Sequence, residues 1–381
     1  SEKTILFLTY NIALSCDIRQ MWWHLKSEHY VKGDLLIRSQ MSFFGYLWKV
    51  LEINNPRDPV TQANDFFEIY ERTILPQMRD YLSEFTANEI LSLKRKYPVL
   101  FINKVLIDEG QDWHPLELEV LEKLYTKERI IVSQSETQLI RSASFINWHD
   151  WLGGSLRDNS QWSINTSMRL KRKLVMFCRN IGSKLDRSFD LVIKPPGGHI
   201  SIITGDLCKH SDLLEEAWVR HSESKCTPYE FLTLVPDNYG VSNRIKNGEF
   251  PERFKEHLDW SSHELRSTFE ESGELYNKDK IRIVNYKSSR GLEGWCCLCM
   301  SLDVFYSDLD SWFEQVIESV DLMGQISMTE TRKRADQLLD FKFNWLMISL
   351  TRSIDHLILH FEDPNSDLCK IAIEASEEIN S

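Results

Sequence analysis

The sequence lacks the long apolar runs of a membrane protein. It also lacks the excess of positive charge that is typical of proteins whose whole surface binds nucleic acid. No stretch approaches the roughly 18 uninterrupted apolar residues that a membrane span needs. Lysine and arginine number 45 against 57 aspartates and glutamates, so the formal net charge is −12. This balance excludes a uniformly basic surface but leaves room for a local basic groove. We therefore expect a soluble protein.

The chain also lacks the composition of a disordered protein. Hydrophobic residues make up 42% of the 381 residues and charged residues 27%, both ordinary for a globular protein. At roughly 150 residues per domain, this length predicts two or three domains. A chain of this size can bury a core without disulfides or metals.

A zinc site usually needs two close cysteine pairs, and this sequence has one. Cys296 and Cys299 have the required spacing, but no second pair accompanies them. They lie in an apolar run over 295–302 that predicts a buried strand. Free thiols in a core are the favoured interpretation, and a metal or redox site is the alternative. Because the first residues enter a strand without a signal-peptide pattern, we expect a reducing, cytoplasmic compartment.

Short apolar segments alternate with amphipathic segments along the chain. This alternation predicts α/β units around parallel sheets. Polar residues over 153–161 interrupt the pattern, so we predict one domain over 1–155 and a second over 156–381. Residues 20–98 are expected to form a small, mostly helical insertion in the first domain. The predicted strands cover 5–9, 105–107, 130–132, 200–203, 231–234, 281–285, 296–302 and 357–360.

Two adjacent acids at the end of a predicted strand form the clearest candidate site. Asp108 and Glu109 directly follow the apolar segment 105–107. Ligands of open α/β sheets bind at the carboxyl ends of strands. One carboxylate there can hold Mg²⁺, and the next can orient or deprotonate a water in phosphoryl transfer. The alternative is a polar strand end followed by a helix N-cap at Asp112 or a neighbour.

Several short motifs, in order along the chain, resemble those of superfamily 1 helicases of the UvrD/Rep type. Residues 108–112 (DEGQD) resemble motif II, 288–293 (SSRGLE) motif V and 348–353 (ISLTRS) motif VI. Weaker resemblances are found at 9–14 for motif Ia, at 39–44 for motif Ib, at Gln138 with Arg141 for motif III, and at Arg169 for motif IV. The motifs follow the order of the family across nearly the whole chain. Together they are therefore more specific evidence for the resemblance than any single motif.

The resemblance implies two tandem RecA-like domains with parallel sheets, and ATP with Mg²⁺ as cofactors. Phosphoryl transfer spreads negative charge over the γ-phosphate, which Mg²⁺ and arginines stabilise. Each arginine taken alone would more commonly be a surface ion pair. The implied roles are Mg²⁺ binding for Asp108, catalytic base for Glu109, γ-phosphate sensor for Gln138, γ-phosphate arginines for Arg169 and Arg352, nucleotide contact for Gly291 and ribose contact for Glu293.

The same resemblance implies single-stranded DNA as a partner, with RNA as the alternative. Single-strand binding uses backbone contacts and stacking of bases on aromatic rings, which contributes roughly 1–3 kcal/mol per base. The candidate contacts are Thr9, Asn11, Ser42 and Phe43, with Trp148 as a further aromatic residue. For Phe43 and Trp148, packing in the core is an equal alternative.

The main departure from the family is the missing phosphate loop, since neither GxxxxGK[ST] nor any Gly-Lys pair occurs. Its strand is expected near the middle of the first sheet, where its loss would leave backbone groups unpaired. We therefore expect that Ser1 is not the natural start or that another chain supplies the loop. The alternative is a natural remnant that does not bind ATP. Ser135, Asn285 and Lys287 also depart from the family pattern, and no large 2B insertion is expected.

Two functional hypotheses follow. The first is an ATP-dependent translocase or helicase on single-stranded DNA, moving 3′ to 5′ by resemblance. The second is a non-catalytic helicase-like subunit that binds nucleic acid or docks on a nuclease or other effector, for example in phage defence. The intact acids and arginines favour the first hypothesis, while the absent phosphate loop and the net charge favour the second.

Overall fold

The chain is an α/β protein with two sheets of parallel strands. The computed structural model describes residues 3–9, 12–28, 33–53, 69–134, 148–151, 170–189, 191, 196–237, 279–321 and 331–380. The chain divides into two compact units, Ser1–Gln161 and Trp162–Ser381. Among the described residues, no helix combines the length and the apolar character needed to cross a membrane.

The first unit contains a four-stranded sheet in the order β2-β1-β3-β4. Leu6 of β1 lies between Leu36 of β2 and Val105 of β3, and all described pairs are parallel. Because the carboxyl ends of parallel strands share one edge, this sheet places Thr9 and Asp108 at the same edge. The strands are β1 (Thr4–Thr9), β2 (Asp34–Ser39), β3 (Lys104–Ile107) and β4 (Ile130–Val132).

One strand of this sheet was not predicted. β2 lies within 20–98, which was expected to be mostly helical, because a short apolar run does not distinguish a strand from a buried helical segment. The four described strands leave no gap among themselves for the strand of the missing phosphate loop, which was expected near the middle of the sheet. β1 pairs with β2 on one side and β3 on the other, so a further strand could join these four only at an outer edge.

Local signals explain where the helices of the first unit begin. The Ser39 hydroxyl accepts a hydrogen bond from the Ser42 amide at 3.3 Å, and Thr86 and Glu89 form a capping box. Pro115 occupies the first turn of its helix, where no amide is needed. The helices are α1 (Ile12–Glu28), α2 (Gln40–Val50), α3 (Leu75–Ser83, preceded by a π-helical turn over Tyr70–Ile74), α4 (Ala87–Lys96), α5 (Pro115–Leu124) and α6 (Trp148–Trp151).

The second unit contains a five-stranded parallel sheet in the order β5-β9-β8-β6-β7. Every residue of β6 is buried, as is typical of a parallel strand covered on both faces. The strand predicted over 296–302 lies earlier in the sequence, at Gly294–Cys299, and Leu302 already begins a helix. The strands are β5 (His199–Thr204), β6 (Phe231–Val235), β7 (Arg282–Asn285), β8 (Gly294–Cys299) and β9 (Ser353–Phe361).

Helices cover both faces of this second sheet. Leu214 and Ala217 of one helix share a core with Cys296 and Leu298 of β8. On the opposite face, the Cys299 thiol lies 4.0 Å from the Ser349 carbonyl oxygen. The helices are α7 (Arg172–Lys184), α8 (Ser211–Glu223), α9 (Leu302–Asp321), α10 (Thr331–Leu350) and α11 (Asp367–Asn380).

Candidate functional site

The acid pair lies where the sequence placed it, at the carboxyl end of β3. The Asp108 amide donates to the Leu8 carbonyl at 3.0 Å, which extends the sheet pairing by one residue. Glu109 adopts a left-handed backbone with φ 54° and ψ 46°, which costs a non-glycine residue about 1–2 kcal/mol. Its carboxylate accepts a hydrogen bond from the Gln111 amide at 2.7 Å. A strained acid beside a half-buried Asp108 is a candidate for function.

Gly110 fixes the loop that carries Glu109. Its amide donates to the Ser133 carbonyl at 2.8 Å, and its carbonyl accepts from the Trp148 indole at 2.7 Å. A Cβ at this position would lie 2.3 Å from Cγ1 of Val132 and 2.8 Å from the Trp148 indole nitrogen. Only glycine fits this close approach, so packing against β4 and α6 holds the loop and maintains the strain at Glu109.

The Gly110→Ala variant should be destabilised by about 1–3 kcal/mol, because the new methyl group overpacks against Val132 and Trp148. Urea unfolding measures the difference. Gly205→Ala is the control without overpacking: a Cβ there would meet no atom within 4 Å, so its cost comes only from the positive φ of 73°, which Gly110 does not share. A loss in Gly110→Ala no larger than that in Gly205→Ala would contradict the packing argument.

A buried carboxylate in the first turn of α5 was not predicted from the sequence. Glu117 of α5 is fully buried and accepts hydrogen bonds from the Tyr70 hydroxyl at 2.7 Å and the Gln40 amide at 2.5 Å. It also accepts from the His114 amide at 2.8 Å, as the third helical residue of a capping box. The spacing of His114 and Glu117 is the signal that could have indicated it. Glu117 therefore joins α5 to α2 and to the π-helical turn.

The residues of the first unit that were predicted to contact single-stranded DNA differ in exposure. Ser42 is exposed in the first turn of α2. Phe43 is only 3% exposed and packs edge-on against Phe44, with ring centroids 5.5 Å apart. Trp148 is 2% exposed, and Thr9 is fully buried. Core packing is therefore the role of Phe43 and Trp148, because rings buried to this extent offer no face to a base.

Three further predicted residues lie outside the part of the chain that the structure describes. They are Asn11, Gln138 and Arg169. Their proposed roles stay predictions.

The second unit brings two predicted segments together that are far apart in the sequence. Arg352 is 5% exposed and donates through Nη1 to the Leu292 carbonyl at 3.2 Å. The Gly294 amide donates back to the Arg352 carbonyl at 3.0 Å. Gly291, one residue before Leu292, has a φ of 75°, which favours glycine. Arg352 and the Gly291–Glu293 loop thus form one local structure at the amino ends of β8 and β9.

Arg352 is held chiefly by main-chain oxygens. Its Nε donates to the Ile348 carbonyl at 2.7 Å and its Nη2 to the Thr351 hydroxyl at 3.2 Å. A second buried arginine, Arg282, supports the same loop by donating to the carbonyls of Tyr229, at 2.7 Å, and of Glu293. The loop is therefore fixed from both sides by guanidinium groups.

Lys287 lies where motif V of superfamily 1 helicases, which this segment resembles, usually has histidine. In the structure its ammonium has two partners. Its ammonium lies 2.7 Å from an Asp237 carboxylate oxygen and 3.9 Å from the centroid of the Trp312 ring. Asn285 also donates to Asp237, at 2.9 Å. Asp237 therefore organises the carboxyl ends of β6 and β7.

The three clustered cysteines lie in the core, which agrees with the favoured interpretation. Cys296, Cys297 and Cys299 are fully buried on β8, whereas Cys208 and Cys226 are only partly buried, and all eight cysteines are thiols rather than disulfides. Burial raises the pKa values of Cys296 and Cys299, which disfavours their thiolates. No group of three or more histidine, cysteine, aspartate or glutamate residues among the described residues could hold a metal ion. A single hard carboxylate such as Asp108 still suits Mg²⁺, which keeps several waters and phosphate oxygens as ligands.

A pair of histidines beneath α8 was not anticipated. Because arginine only donates, the contact between Arg220 Nη1 and His199 Nε2 requires a neutral His199. His356 lies across from it, with ring centroids 5.8 Å apart, and its Nε2 is 2.9 Å from the Ser201 hydroxyl. Burial lowers the pKa of His356 to about 4, with His199 and Arg220 adding to the effect. Burial and then Arg220 lower the pKa of His199, which Asp355 partly opposes.

Acid should therefore destabilise the second unit through these histidines. Both imidazoles have lower pKa values folded than unfolded, so their stabilisation is complete above about pH 6.5 and is lost as the pH falls towards 4. For His356 we expect a loss of about 2 kcal/mol between pH 7 and pH 5. Urea unfolding at both pH values, in the parent and in His356→Gln, measures this. The same pH dependence in both proteins would show that His356 does not contribute.

Comparison with known proteins matched neither a protein-family model nor a curated protein to this chain.

Proposed function

We propose that this chain is the core of an ATP-dependent motor that moves on single-stranded nucleic acid, with two RecA-like domains of the superfamily 1 helicase type. The observation that supports this most is the joining of Arg352 to the Gly291–Glu293 loop across a separation of 60 residues. A chance match of short strings would not require these two segments to share hydrogen bonds. The strained Glu109 at the end of β3 gives independent support.

In this proposal each residue has a defined task. Asp108 would hold Mg²⁺, and Glu109 would orient and deprotonate the attacking water. The positive charge of Arg352 would stabilise the charge that develops on the γ-phosphate. Gly291 would allow close approach of the backbone to the nucleotide, and Glu293 would accept from its ribose. Bound Mg·ATP would supply the phosphoryl group and the charge neutralisation between its phosphates.

The proposal also requires a phosphate-binding loop from outside these 381 residues, because the sequence contains no Gly-Lys pair. The test therefore uses the protein purified from its native source, together with any subunit that remains bound. ATP hydrolysis is measured with and without oligo(dT), and an RNA oligomer of the same length distinguishes DNA from RNA. Turnover stimulated by a single strand supports a motor.

The alternative proposal is a helicase-like subunit without catalysis, which binds nucleic acid or docks on a nuclease or other effector. The missing phosphate loop and the net charge of −12 favour it. In the same assay it predicts oligonucleotide binding, or a stable complex with an effector, without ATP turnover. The Glu109→Gln variant would then behave like the parent in every measurement.

A further inference from the structure

Lys171 makes two contacts that hold the start of α7 to the starts of β8 and β9. Its ammonium forms an ion pair with Asp355 of β9 and lies 4.6 Å from the centroid of the Trp295 ring of β8. The side chains of Lys171 and Asp355 are 24% and 9% exposed, so the pair is largely withdrawn from solvent. We call Lys171, Trp295 and Asp355 the lysine clamp.

The lysine clamp lies on an irregularity of the sheet. Gly294 pairs with Ser353 and Cys296 pairs with His356, so β9 advances three residues while β8 advances two. The extra residue forms a bulge in β9 that contains Asp355 and faces Trp295. Bulges are rare in parallel sheets and serve to redirect a side chain near functional sites. The ammonium of Lys171 binds the bulge directly.

Helix stability does not account for Lys171. It is the N-cap residue of α7, yet its side chain makes no capping hydrogen bond. A cation at the N-terminus of a helix is disfavoured by the helix dipole. A buried ion pair by itself also contributes little net stability compared with apolar side chains of similar size. The position of Lys171 is better explained by the geometry that it imposes.

The residues next to the lysine clamp are those assigned to the nucleotide. Trp295 follows Glu293 by two positions, and Asp355 follows Arg352 by three. We propose that Lys171 is a positioning residue, whose contacts with Asp355 and Trp295 fix the two strand starts that present Arg352 and Glu293 to the nucleotide. This inference rests on the proposed function and adds to it a residue that does not touch the nucleotide itself.

Lys171→Met should weaken Mg·ATP binding about tenfold or more, because small displacements of binding groups have large effects. Lys171→Arg should keep most of the affinity, since it preserves the charge and the contact with the indole face. The double variant Lys171→Met/Asp355→Leu leaves no buried charge, so it should be more thermally stable than Lys171→Met. Its affinity for Mg·ATP should remain as low as that of Lys171→Met. The matched control is Lys184→Met, at the other end of α7, where the lysine pairs with Glu374 and Glu378.

Two measurements on the full protein are compared across these variants. Titration with a fluorescent ATP analogue and Mg²⁺ gives the affinity. Hydrogen exchange of residues 292–295 and 351–355 reports the strand starts, and it should rise in Lys171→Met but not in Lys184→Met. Nucleotide binding by the parent with equal affinity in Lys171→Met would overturn the positioning role alone. No nucleotide binding by the parent would overturn the proposed function and this role with it.

Discussion

Under the proposed motor function, replacing Glu109 by glutamine should lower ATP hydrolysis stimulated by single-stranded DNA by about 10²–10⁴-fold while nucleotide binding is kept. Glutamine has nearly the same shape as glutamate and can replace its contact with Gln111, but it cannot accept a proton from water. Phosphate release measures the turnover, and titration with a fluorescent nucleotide measures binding. Equal turnover in parent and variant would exclude Glu109 as the base.

A companion variant separates the chemistry of Glu109 from its effect on stability. The φ of 54° is strained for glutamate and for glutamine but not for glycine. Glu109→Gly should therefore lose turnover as Glu109→Gln does, yet be more stable than Glu109→Gln by up to about 1 kcal/mol. Lower stability of the glycine variant would mean that the left-handed backbone at Glu109 carries no strain.

Replacing Arg352 by methionine should have two effects, one on folding and one on catalysis. Loss of the guanidinium leaves the carbonyls of Ile348 and Leu292 without these donors, which should cost about 2–4 kcal/mol of unfolding free energy. Loss of its charge should also lower stimulated hydrolysis by about 10²–10³-fold. Hydrolysis is measured at a temperature at which urea unfolding shows the variant to be fully folded.

Arg282→Met is the matched control for this experiment. Arg282 is as buried as Arg352, at 3% against 5% exposure, and it supports the same loop through the Glu293 carbonyl. It should lose comparable stability while retaining hydrolysis to within about tenfold, since the guanidinium of Arg352 is still present. If both variants lose hydrolysis to the same extent, Arg352 acts through the fold of the loop and not through its charge.

Parts of the fold could be predicted because they depend on local patterns. The alternation of apolar strands and amphipathic helices indicates an α/β protein with parallel sheets, and the ends of β3 and β4 agree with the prediction to within a residue. β2 was missed because its short apolar run fits a strand or a buried helical segment equally well, and its pairing with β1 is seen only in the folded sheet. Local patterns carry no information about such pairing partners.

In the candidate site, too, only the features that depend on neighbouring residues could be predicted. Asp108 and Glu109 could be identified because an apolar run ends abruptly in two acids. The burial of Phe43 could not, because residues 40, 43, 44, 47 and 48 turn one face of α2 to the core, and a short motif does not show which face that is. The neutral His199 and His356 are also invisible in the sequence, because they meet across β5 and β9 at a separation of more than 150 residues.

The sequence by itself determined the class of fold and the position of the acid pair, since each follows from neighbouring residues. Only the tertiary structure decided that Arg352 joins the Gly291–Glu293 loop, that Lys171 binds a bulge in β9, and that Glu109 is strained by the packing of Gly110. The physical reason is that hydrogen bonds and close packing between distant segments depend on strand order and register. These are properties of the assembled sheet, to which every strand contributes.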